Sequence, residues 1–97
     1  MKVDNGQIFK LHIRKGQVNI DTMQEYNLYY YEDTGRVWLY CPCGEGHLIS
    51  IPTIPTGKGI AWTITGLSSG VVTMYPSILN EPCGAHFFIR DGKIIWA

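Results

Sequence analysis

Two short knots of cysteine and histidine constrain this chain more than any other feature. The first is Cys41-Pro42-Cys43-Gly44-Glu45-Gly46-His47, and the second is Cys83-Gly84-Ala85-His86. Thiolate and imidazole suit tetrahedral zinc. Gly44 and Gly46 let the backbone curl so that several ligands face one ion, and Pro42 stiffens the knuckle. Tying both knots to one ion closes a long loop and offsets chain entropy, as a disulfide does. Any one of these cysteines alone reads as an ordinary buried thiol. All three together, with glycine-rich knuckles and adjacent histidines, read as a metal site.

Cys41, Cys43 and Cys83 are the first three ligands. Three thiols are one short of a closed four-cysteine site, and three residues compete for the gap. His86 follows Cys83 at C-x-x-H spacing. His47 stands four residues after Cys43 and can turn back toward the ion. Glu45 offers a weaker oxygen ligand. Whichever histidine is left over stands free beside a cation, a setting for chemistry. A Rieske centre carries C-x-H in its first loop, where this chain has C-x-C. That departure favours structural zinc over a [2Fe–2S] cluster and leaves only a distant Rieske-like or zinc-ribbon-like resemblance.

The length of 97 residues fits one domain, residues 1–97. The cysteine count is odd, and Cys41 and Cys43 are too close in sequence to bridge each other. Both points argue against a secreted disulfide framework and for the cytoplasm. Eight basic and eight acidic residues cancel, which argues against a broad nucleic-acid or anionic-membrane surface. The opening MKVDNGQIFKLHIRKG has no long apolar run, so neither a signal peptide nor a membrane span is expected.

The rest of the chain reads as strands between turns. Phe9, Leu11 and Ile13 alternate with Lys10, His12 and Arg14, which places His12 on plain surface. Residues 21–25 are the one candidate helical turn, capped by Asp21. Residues 26–32 and 36–41 flank an Asp33-Thr34-Gly35 turn, and 87–90 and 93–96 flank Asp91-Gly92. Residues 47–51, 60–65 and 71–75 are further β-branched runs. Residues 66–70 form a tight turn, and 76–84 read as irregular between Pro76 and Pro82. The expectation is an all-β barrel or sandwich of about seven or eight short antiparallel strands stapled by one metal site.

From Tyr40 to Trp96 the chain resembles a family of small bacterial and phage proteins whose genes often sit beside bacterial ubiquitin-like modification genes. CPCGEGH at 41–47, Trp62, VTMYPSI at 72–78 and CGAHFFIRDGKIIW at 83–96 carry the resemblance. Family members commonly read CPCGCG where this chain has Glu45, so His47 is a candidate for the missing ligand. The resemblance implies peptidase action on ubiquitin-like proteins, with Ser77 and His86 as the matching serine and histidine.

Read without the resemblance, Ser77 is a turn or capping residue. With it, Ser77 is a nucleophile and His86 its base, provided that His47 completes the metal site. Glu81 and Asp91 are candidate orienting groups, and backbone N–H groups around Gly84 a candidate oxyanion hole. Two other readings stand beside this one. In the first, Cys41, Cys43, Cys83 and His86 hold zinc in a non-enzymatic module whose Tyr29-Tyr30-Tyr31 face grips a protein or peptide. In the second, the metal itself is catalytic, with Glu45 as base.

Overall fold

The computed structural model describes residues 2–55, 57 and 59–97. Its strands are β1 (Lys10–Arg14), β2 (Asn27–Tyr31), β3 (Arg36–Tyr40), β4 (Leu48–Pro52), β5 (Thr63–Thr65), β6 (Thr73–Asn80), β7 (Ala85–Arg90) and β8 (Lys93–Trp96). They form two four-stranded sheets, ordered β1-β2-β3-β4 and β5-β6-β7-β8. The architecture is all-β and sandwich-like, with no closed barrel. Among the described residues, no helix is long and apolar enough to cross a membrane.

Strand alternation sends one face of each sheet inward. Val37 and Leu39 of β3 meet Met74 and Ile78 of β6 and Phe87 and Ile89 of β7 in one core. Burying each such side chain contributes roughly 1.5–3 kcal/mol. Residues before β1 tie the two sheets along one edge. Gly6 N–H donates to the Ile94 carbonyl at 2.7 Å, and Phe9 N–H to the Gly92 carbonyl at 2.7 Å. On the other side, Trp62 N–H donates to the Pro52 carbonyl at 2.8 Å.

Both expected hairpins form. Asp91 and Gly92 take φ of 50° and 73°, the pair of positive values that a two-residue type I′ turn requires. Gly35 N–H closes the β2–β3 turn on the Tyr31 carbonyl at 2.8 Å. In the 66–70 turn, Gly66 has φ of 87°, and a Cβ there would overlap the Val71 carbonyl oxygen. Gly66→Ala is therefore expected to cost about 2 kcal/mol or more. Urea unfolding measures this, and an unchanged midpoint would contradict it.

Four expectations are corrected. β1 pairs with β2 in parallel, not antiparallel, because residues 15–26 carry the chain back to its starting end. The helical turn is a 3-10 turn over Ile20–Thr22, capped by Asn19, whose Oδ1 accepts Asp21 N–H at 3.1 Å. The outer face of the first sheet is covered. Tyr29 and Tyr31 pack with Met23 in a second core, each 4% exposed, so the tyrosine run is not an open patch. His12 belongs to that covering, stacked 5.0 Å from the Tyr29 ring, while Ile13 is exposed.

The fourth correction concerns residues 76–84. β6 runs on to Asn80, so Ser77 sits in a strand. Met74 pairs with Ile89 and Ile78 with Phe87, so Tyr75, Pro76 and Ser77 together face Phe88. This bulge accommodates Pro76, which has no N–H to give the ladder. Beyond it Ile78 points into the core, and Ser77 lies half-buried on the outward face.

Candidate functional site

The Cys41–His47 knuckle closes as a turn. Cys41 N–H donates to the His47 carbonyl at 2.7 Å, and Gly44 N–H to the Cys41 carbonyl at 3.2 Å. Gly44 and Gly46 take φ of 78° and 83°, a region that side chains disfavour. The knuckle ends the β3–β4 pair of one sheet, while Cys83 lies in the β6–β7 turn of the other. The three sulfurs lie within 4.8 Å of one another, and none is in a disulfide. Cys41 Sγ is 3.6 Å from Cys83 Sγ. A tetrahedral ion with sulfur bonds of about 2.3 Å sets its sulfurs roughly 3.8 Å apart, so these thiols fit one.

His47 lies beside the three thiols, grouped with Cys43 and Glu45. Its Nδ1 is 3.3 Å from Cys43 Sγ. Glu45 is close to Cys43 and His47 and is exposed. N–H donors surround the sulfurs. Cys43 N–H lies 3.5 Å from Cys41 Sγ, and Asn80 Nδ2 donates to Cys83 Sγ at 3.2 Å. Such donors hold and orient charged thiolate ligands. Asn80 was not singled out from sequence; its signal is an amide side chain three residues before a candidate ligand.

The thiols differ in acidity. Burial pushes Cys41 up to about 12, whereas the Ala85 N–H lowers Cys83 to about 7. In the metal-free chain, iodoacetamide at pH 8 is therefore expected to alkylate Cys83 well before Cys41, at a rate rising through pH 7. Peptide mapping reads the order, and Cys41 reacting first would contradict it.

The other histidine is engaged elsewhere. His86 Nε2 lies 2.8 Å from Ser77 Oγ. Leu79 pairs with His86 across the ladder, which places Ser77 on the diagonal of the same outward face. Trp62 Nε1–H donates to the Ser77 carbonyl at 3.3 Å and anchors the bulge. Among the described residues, neither Glu81 nor Asp91 hydrogen-bonds to His86; Asp91 lies at the far end of β7. The suggested oxyanion hole is also spent. Cys83 and Gly84 N–H donate to the Asn80 carbonyl at 3.2 and 2.8 Å, and Ala85 N–H serves the Cys83 sulfur.

An open groove of about 330 Å³ runs from Cys43 and Cys83 to His86. Cys43 and Cys83 line one part, and His86, Gly84, Trp96 and Lys2 the rest. The chain thus presents a hydroxyl paired with an imidazole that lines an open groove.

A family model described as bacterial ubiquitination-like system serine protease (BubE) matches residues 13–97. No curated protein and no solved structure matches the chain. The chain belongs to the BubE family.

Proposed function

From that membership, we propose that this chain is a serine peptidase acting on a bacterial ubiquitin-like protein. Ser77 is the nucleophile and His86 the general base. The contact of 2.8 Å between Ser77 Oγ and His86 Nε2 carries the reading. A serine is a weak nucleophile until a base within hydrogen-bond reach takes its proton.

The steps follow from that contact. With Nδ1 protonated, His86 presents the Nε2 lone pair to the Ser77 hydroxyl. As Oγ bonds to the scissile carbonyl carbon, the hydroxyl proton moves to Nε2. The carbon–nitrogen bond then breaks, and the leaving amine takes that proton. Water repeats the sequence on the acyl-serine ester and frees both Ser77 and the carboxylate product. Trp62 holds the Ser77 main chain, and β7 holds His86, so the pair is set by the sheet.

Zinc is the metal that this donor set suits best, held by Cys41, Cys43, Cys83 and His47. When bound, it supplies a structural link between the two sheets. Asn80 and Cys83 fix the turn that leads into His86, so the anchor and the base share one short segment.

The test is to incubate the purified chain with a ubiquitin-like protein carrying a C-terminal extension and to follow cleavage by mass spectrometry. The wild type is expected to release the extension, and Ser77→Ala to leave it attached. Full release by Ser77→Ala would sink the proposal.

A further inference from the structure

We infer that the outward face of β7 selects an acidic residue in the substrate, with Arg90 as the specificity-determining side chain. This rests on the peptidase reading of Ser77 and His86. A peptide whose carbonyl reaches Ser77 approaches from the outward face of β6 and β7, and beyond the groove at the His86 end it can continue along β7.

On that face, alternation lines up His86, Phe88 and Arg90 along one strand. The His86 and Phe88 rings are 6.4 Å apart, and the Arg90 guanidinium sits 4.2 Å from the Phe88 ring centroid. The ring contact holds the guanidinium over Phe88, and its N–H groups can still donate to a carboxylate. From His86 to Arg90 the strand advances roughly 13 Å at about 3.3 Å per residue. An extended peptide laid along β7 therefore meets the guanidinium about three or four residues from the scissile bond.

Charge points the same way. β5, β6, β7 and β8 contain no Asp or Glu. Their Lys and Arg residues are Arg90 and Lys93, which pair directly across the β7–β8 ladder. Like charges set opposite one another are destabilising. Among the described residues, no carboxylate forms an ion pair with either. Asp91 of the intervening turn offsets one of these charges but forms no ion pair with either side chain, and the net cationic end of the strand that carries His86 is complementary to an acidic side chain on the ligand.

Arg90→Glu converts the like-charge pair with Lys93 into an opposite-charge pair, so the fold is kept. Wild type and variant are each given a proteome-derived peptide library, and the cut sites are read by mass spectrometry. In parallel, a fluorophosphonate probe reports Ser77 reactivity without a peptide. The wild type is expected to enrich Asp and Glu three or four residues from the cut. Arg90→Glu is expected to lose that enrichment and to shift the Glu-to-Lys cleavage ratio by about fivefold, the upper scale of an exposed charge pair. Its fluorophosphonate labelling stays at the wild-type rate. Intact labelling with an uncut library, or with the same profile for both proteins, overturns the inference. Absence of labelling in the wild type overturns the peptidase reading first, and this inference with it.

Discussion

Ser77→Ala is expected to lower kcat for cleavage of a ubiquitin-like precursor by roughly a thousandfold or more, with KM little changed. The hydroxyl forms the covalent bond, so its loss removes an interaction made along the reaction path. His86→Ala is expected to fall about as far, because an unactivated serine is a poor nucleophile. The double variant is expected to be no worse than either single one, since the two residues act as a unit. Ser77 lies half-buried on an outward face and His86 is exposed, so neither change opens a core cavity. Metal content and thermal midpoint should stay at wild-type values. A Ser77→Ala chain retaining a tenth of wild-type activity would contradict the nucleophile assignment.

The second large effect lies in the metal knot. Cys41 and Cys83 are 42 residues apart in the chain and lie in turns of opposite sheets. By analogy with a disulfide of that loop length, the cross-link contributes about 4 kcal/mol. For a domain this small, that corresponds to a fall of roughly 15 °C or more in Tm. A strong chelator, or Cys41→Ser, is therefore expected to release one zinc ion and lower Tm by that amount. Activity should fall with the fold and not ahead of it. His47→Ala should weaken zinc binding, while His86→Ala should leave it intact. Zinc lost from His86→Ala but retained by His47→Ala would reverse the roles of the two histidines. Activity lost on chelation with Tm unchanged would instead point to a catalytic metal and bring Glu45 back as its base.

The fold was legible wherever local pattern decides structure. Asp91-Gly92 and Asp33-Thr34-Gly35 form their turns because positive φ at Asp91, Gly92 and Gly35 is a local requirement. The inward alternation of Val37 and Leu39 likewise shows in the sequence. The parallel β1–β2 pairing does not, because it depends on where residues 15–26 cross. Nor does the second core, since burial of both Tyr29 and Tyr31 needs Met23 and the preceding segment folded over them. At the site, the knots displayed their cysteines. The choice between His47 and His86 is a matter of geometry that spacing leaves open. Pro76 read as a strand breaker, which hid the bulge that carries Ser77 along β6. The Gly84 turn offers oxyanion donors by sequence, and the folded turn commits the Cys83 and Gly84 N–H groups to the Asn80 carbonyl.

The most direct test of the Ser77–His86 pair is a covalent trap. The chain is treated with a fluorophosphonate, and the adduct is located by peptide mapping. One adduct on Ser77, forming far more slowly in His86→Ala, is the predicted result. An adduct on another residue, or none in a chain that still cleaves its substrate, would contradict it.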